Sequence, residues 1–311
     1  MIKGRYLFKV NGEVVHECYN VITSEGLDIV RNYLAGTSPS WAGSISVGSL
    51  NLSAPSTSDS ALEFEIARVP VLISSVDGIE IVLTATLGPD LEGRIYEIGV
   101  YPTVLNTTSF GFDDKIVSTF SEDWVDSSGV SLSSVNFSGD EDTSDGRSGY
   151  RNLIVGDSGI EAIYETGIDV TGYSQLDSVT FLYNTDSTGS DRTIRLTFID
   201  DQLPTSGTKY ADFIFDGSAA GYKTITKLYG DFTSTGNFNG TVSKITITSD
   251  AESAAEVHLD ALKFNDTDET NLNFALVSRA LVGSVGGNTA SDYIIKPSDV
   301  EMDIEYRMEI L

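Results

Sequence analysis

Val300-Glu301-Met302-Asp303-Ile304-Glu305-Tyr306-Arg307-Met308-Glu309-Ile310 is the stretch whose reading decides the fold. Apolar and charged residues alternate through it without a break. Val300, Met302, Ile304, Tyr306, Met308 and Ile310 fall on one face, and Glu301, Asp303, Glu305, Arg307 and Glu309 on the other. A period of two predicts a long β-strand with one face on a core and one in water. Two further strand candidates, residues 274–281 and 293–296, precede it. Three strands at a chain end bury too little surface to stand alone, so the tail needs a partner elsewhere in the chain.

The first hundred or so residues offer that partner. Tyr6, Phe8 and Val10 alternate into Asn11-Gly12, a dipeptide suited to a type I′ hairpin turn, and Val14-Val15 begins the return strand. One short helix is expected next. Ser24 can cap it, Leu27, Val30 and Leu34 lie at helical spacing beside Tyr33, and Gly36 sits where a left-handed residue ends a helix. Strands are predicted at 44–48, 62–74, 79–87 and 94–101, with Pro70 marking an edge or a bulge because it cannot donate a ladder hydrogen bond.

Between about residues 104 and 269 the texture changes to short strands set among loops of Asp, Ser, Gly and Thr. The candidates are 160–165, 178–183, 193–199, 210–215, 223–228, 242–248 and 256–264. Evenly spaced short strands without helical periodicity point to a jelly roll or a similar sandwich. The fold expected is therefore all-β: a split β-sandwich domain with one short helix, formed by 1–103 plus 270–311, carrying an inserted jelly-roll β-sandwich at 104–269.

Composition narrows the function. Acidic residues number 46 against 19 basic ones, a net charge of −27, which repels phosphate backbones and argues against a nucleic-acid partner. No run approaches the ~18 apolar residues of a membrane span, so no membrane insertion is expected. Met1-Ile2-Lys3-Gly4-Arg5 opens no signal peptide, which implies folding in a cytoplasm. The single cysteine, Cys18, excludes an intrachain disulfide and reads as a half-buried strand residue.

Several short motifs carry a family resemblance. They are Asn20-Val21-Ile22-Thr23-Ser24-Glu25-Gly26-Leu27, Ile45-Ser46-Val47-Gly48, Ala54-Pro55 with Asp59, Leu62-Glu63, Ala67-Arg68 and Glu97-Ile98-Gly99-Val100-Tyr101. Together they resemble a domain of tailed-bacteriophage virion proteins, found in tail fibres, baseplates and related components. In that family a segment like Ser278-Arg279, a Lys-bearing strand like 294–296 and a long alternating strand follow the Glu-Ile-Gly strand at short range. Here they follow only after the 104–269 stretch, so the resemblance implies a domain inserted after Tyr101-Pro102. The motifs read as turn glycines, a helix start and buried strand positions; none is catalytic. The inserted stretch resembles the galactose-binding-type jelly rolls of carbohydrate-binding modules, through Phe120 to Trp124, the Asp/Gly-rich loop before Gly149-Tyr150, and the closing strand with Asp260. That likeness implies a structural Ca²⁺ bound in part by Asp260.

The residues themselves give a few candidate sites. Asp140, Glu141, Asp142 and Asp145-Gly146 crowd one loop that could offer oxygens to Ca²⁺, though the spacing departs from the EF-hand and Arg151 stands where its bidentate Glu belongs. Asp260 alternates with Leu262 and Phe264, so it points to an apolar face and needs a metal, a hydroxyl or backbone amides. For a sugar platform, Trp124, Tyr150 and Tyr183 are singled out, with Tyr173, Tyr210 and Tyr222 also available. His16 and His258 fall in different predicted domains, Cys18 and His16 lack a third orienting group, Asp200-Asp201 point to opposite faces, and Gly283, Gly286 and Gly287 form no phosphate loop. The expectation is a non-enzymatic virion protein, made in the host cytoplasm, requiring no cofactor. It would bind other virion proteins as a homo-oligomer or multi-copy assembly and display its insert to a host-surface glycan. A purely architectural head or tail decoration protein, and a particle-borne polysaccharide hydrolase or lyase, are the alternatives.

Overall fold

The computed structural model describes residues 2–89, 91–102, 104, 116–120, 124–132, 147, 153–156, 159–185, 188–201, 206–265 and 275–310. These are almost entirely β, in five antiparallel sheets with one α-helix. The chain divides into two compact units, Met1–Asp114 with Glu269–Leu311, and Lys115–Asp268. No described helix is long and apolar enough to cross a membrane.

The first segment holds β1 (Ile2–Val10), β2 (Glu13–Tyr19), β3 (Val21–Ile22), α1 (Ser24–Leu34), β4 (Ser44–Gly48) and β5 (Glu65–Pro70). It continues with β6 (Ile73–Asp77), β7 (Glu80–Leu87), β8 (Gly93–Ile95) and β9 (Glu97–Tyr101). The middle of the chain holds β10 (Ile116–Ser118), β11 (Leu153–Val155), β12 (Ile160–Asp169), β13 (Ser178–Thr185) and β14 (Arg192–Asp200). Then come β15 (Gly207–Phe215), β16 (Gly221–Leu228), β17 (Thr233–Gly236), β18 (Thr241–Ser249) and β19 (Val257–Asn265). The tail supplies β20 (Ser278–Leu281), β21 (Ile294–Lys296) and β22 (Met302–Ile310).

In the first unit the tail strands are built into all three sheets. The orders are β2-β1-β22-β7-β6, β3-β20-β9-β4-β5 and β21-β8. β22 is central, pairing Tyr306 with Tyr6 on one side and with Leu83 on the other. Met302, Ile304, Tyr306 and Met308 are buried, as the alternation requires. Its other face is less wet than a period of two suggests: Glu305 is buried between Lys9 Nζ at 2.5 Å and the Arg307 guanidinium. Asn11 and Gly12 both take positive φ, the two left-handed residues of a type I′ turn. Pro70 ends β5, an edge strand, where its missing N–H costs nothing.

The helix departs from its sequence reading at its N-terminal cap, while Gly36 takes the left-handed conformation expected after its end. Thr23, not Ser24, is the cap: its Oγ accepts the Gly26 N–H at 2.8 Å. Thr23 N–H also donates to Val277 O at 3.1 Å, tying the helix start to the tail. Gly26 and Val30 make the buried face, while Leu34 is 70% exposed, because the chain turns away through Ala35 and the left-handed Gly36.

In the second unit two five-stranded sheets enclose one core. One runs β10-β19-β13-β16 with β11 also on β19; the other runs β12-β18-β14-β15-β17. Phe181, Leu259 and Leu262 of the first pack with Leu196, Phe198 and Ile245 of the second. The expected jelly-roll closure is not seen. Every strand pairing described stays within its own sheet, so the arrangement is two sheets stacked by side chains.

Candidate functional site

The outward face of the β12-β18-β14-β15-β17 sheet is the most site-like surface of the second unit. Along β14, Arg192, Ile194, Leu196 and Phe198 are fully buried, so Thr193, Arg195 and Thr197 point outward. Residues paired across antiparallel strands share a face. The register therefore lays Glu161, Thr248, Arg195 and Asp212 side by side on one rung, and Ile163, Thr246, Thr197, Tyr210 and Thr233 on the next. The face carries hydroxyls, charges, the ring of Tyr210 and two isoleucines, Ile163 and Ile214.

A groove of about 800 Å³ lies over the first rung, lined by Glu161, Arg195, Asp212, Thr248, Asp250 and Glu252 among others. Arg195 and Asp212 form a fork-to-fork pair, Nε to Oδ1 at 2.6 Å and Nη2 to Oδ2 at 2.9 Å. That bond holds the Asp212 carboxyl below its ordinary value and the guanidinium above its own. The Arg195 guanidinium also lies 4.6 Å from the Tyr210 ring centre. The groove wall, the turn after β18, is fastened from below. Buried Arg192 donates from Nε to Ala255 O at 2.8 Å and from Nη2 to Glu252 O at 3.2 Å, and Ser190 Oγ donates to Ser253 O at 3.1 Å. A floor of paired strands and a pinned wall make a site that is pre-organised.

Of the residues singled out in the sequence, those that the structure describes lie elsewhere. Trp124 and Tyr183 are 1% and 2% exposed and belong to the core. Trp124 stacks on Tyr164 and packs on Phe120, and Tyr183 packs edge-on against Phe215. Neither offers a ring face to a sugar as placed, because aromatic area of this size is worth more in the core. Tyr150, Asp140, Asp142 and Asp145 lie outside the described residues. Of the other tyrosines, Tyr173 stacks on Phe264, Tyr222 is covered by Arg147, and only Tyr210 shares the groove's face.

Asp260 is fully buried, and one of its oxygens accepts the Arg147 N–H at 2.6 Å. A backbone amide is thus one of the partners that its position demanded. Among the described residues no group of three or more His, Cys, Asp and Glu could hold a metal.

A second cluster, in the first unit, went unread. Arg279 of β20, 1% exposed, donates from Nε to Glu97 Oε2 at 2.9 Å and from Nη1 to Asp59 Oδ2 at 3.0 Å, and its Nη2 lies 3.2 Å from Glu63 Oε1. Burial pushes the Glu97 carboxyl up to about 7, against the pull of Arg279 and the Phe64 N–H. All four residues stand in the quoted motifs, and they hold tail to first segment as a structural lock. Cys18 is buried with its thiol pushed up to about 12 by desolvation, and His16 Nε2 is 2.9 Å from Val282 O, which leaves no activated thiolate. His258 pairs with Glu256 at 2.8 Å in the other unit.

No protein-family model matches the chain, and no curated protein matches it. Solved structures show weak, low-identity likenesses. PfGH50B is 15% identical over 38% of this chain with a TM-score of 0.26, and the chain spans 20% of its length. A family 11 carbohydrate-binding module from Clostridium thermocellum, solved with a β-1,3-1,4-mixed-linked tetrasaccharide, is 16% identical over 37% of this chain and 81% of its own, with a TM-score of 0.25. A structure of infectious bursal disease virus, Gt strain, is 9% identical over 99% of this chain and 65% of its own, with a TM-score of 0.23. With TM-scores of 0.26 and below, these likenesses assign the chain to no family and no role.

Proposed function

We propose that this chain is a non-enzymatic virion structural protein of a tailed bacteriophage. Its split unit anchors it among other virion proteins in many copies, and its inserted unit presents the β12-β18-β14-β15-β17 face to a host-surface glycan. The observation that carries the glycan reading is the rung Glu161–Thr248–Arg195–Asp212 beneath a pinned groove, one rung from Tyr210. Saccharides present pairs of hydroxyls to planar carboxylates and guanidinium groups, and an apolar ring face to an aromatic. Few convergent polar groups on a rigid concave surface suit such a ligand. An open groove on one subunit binds weakly, and many copies on a particle convert weak binding to firm adsorption.

The test is titration of the full chain against a panel of bacterial surface polysaccharides, with Arg195→Ala and Tyr210→Ala alongside. Binding to a member of the panel, lost in both variants at unchanged melting temperature, supports the reading. No binding to any member, with particles that lose stability when the protein is removed, would replace it with a purely architectural role. A structural Ca²⁺ on Asp260 is a separate part of the proposal. Calorimetry in excess Ca²⁺ and in chelator tests it, and identical melting profiles would remove it.

A further inference from the structure

We infer that the groove selects its ligand by charge, accepting neutral or amino-bearing saccharides and rejecting those that carry uronate, sialate or sulfate groups. The inference rests on the glycan reading of the same groove.

Four carboxylates line the groove against one guanidinium. The guanidinium of Arg195 is already matched by Asp212, both of whose oxygens it engages. Glu161, Asp250 and Glu252 are exposed and have no basic partner among the described residues. Lys244, on the next rung but one from Arg195, turns its charge to Glu165 at 3.7 Å and Asp201 at 3.8 Å, so it does not offset them. An acidic sugar entering the groove therefore meets three uncompensated like charges, in a chain whose net charge is −27.

The acids are also spread along the groove. Among the described residues no three of them come close enough to hold a metal. Asp250 and Glu252 lie in the wall that Arg192 fastens, and Glu161 lies on the floor at β12. Exclusion by like charge is the usual way a site separates ligands of equal shape. It acts within about 8 Å at physiological ionic strength, so it weakens as salt rises.

The experiment sorts the soluble polysaccharide panel into neutral, amino-bearing and acidic members and titrates each with the full chain at about 50 mM and about 500 mM salt. At low salt the acidic members should bind at least about tenfold more weakly than neutral ones of similar backbone. The gap should close at high salt, and amino-bearing members should bind at least as tightly as neutral ones. The double variant Asp250→Asn, Glu252→Gln, which leaves the Glu161–Thr248–Arg195–Asp212 rung intact, should narrow the gap between acidic and neutral members at least severalfold. Tight binding of an acidic member by the unaltered chain would overturn the selectivity while leaving the glycan reading in place. Oligolysine bound as tightly as the amino-bearing members would overturn it as well, by showing general attraction for polycations. Failure to bind any member would remove the glycan reading and the selectivity together.

Discussion

Glu97 and Arg279 lie far apart in sequence and touch in the fold. Their environment sets two predictions. The Glu97 carboxyl, raised by burial from 4.5 to about 7, holds its proton more tightly folded than unfolded. A group raised in this way contributes stability that is full below its unfolded value and is lost as pH rises through about 7. Glu97→Gln should remove that dependence, so the fall in urea midpoint between about pH 5 and about pH 8 should be smaller in the variant than in the parent. Arg279→Met should be far more damaging. It leaves Glu97 buried beside Asp59 and Glu63 with no counter-charge, at a cost of about 3–5 kcal/mol, read as an early melting transition of the first unit. Arg195→Ala is the contrast. The pair with Asp212 is nearly half exposed, so its loss should change stability by less than about 1 kcal/mol while abolishing glycan binding. Asp59, Glu63, Glu97 and Arg279 were each legible as motif residues, but their convergence was not. Nothing local in a sequence tells an outward Glu on a strand from one that turns into an ion cluster.

At the scale of elements, α1 and β22 show which patterns survive folding unchanged. The alternation of 302–310 needed only a period of two, and the strand is there with its apolar face buried. The helical stripe was read from Leu27, Val30 and Leu34, yet packing uses Gly26 and Val30, because the helix presses its first turn onto the tail at Val277. A Cβ at Gly26 would run into the Val277 backbone. Gly26→Ala should therefore destabilise the first unit by about 1–3 kcal/mol, although alanine is the better helix former, and a thermal melt reads the sign directly. The groove shows the same limit. The strand at 193–199 was legible, but which of its faces meets the core was not. That Glu161, Thr248 and Asp212 stand beside Arg195 depends on register across four strands, which no single stretch encodes.

For the whole molecule, the division of the chain sets the last prediction. Residues 115–268 contain both sheets of their unit and every member of its core, so this fragment should fold alone with a cooperative melt. Residues 1–114 lack β20, β21 and β22, which leaves β1 and β7 without the strand between them, and they should show no cooperative transition by circular dichroism. A stable, monomeric 1–114 fragment would mean that the tail is dispensable. The sequence by itself determined that the chain is β-rich, that its last strand has one apolar face and that a three-stranded tail must pack on something. These follow from side-chain period and buried area, which are local or additive. Only the tertiary structure decided that the best-placed aromatics, Trp124 and Tyr183, lie in the core, and that threonines, Arg195 and Asp212 face outward over a groove. Which of two opposite faces meets the core, and which residues become neighbours across strands, is set by packing between segments distant in the chain.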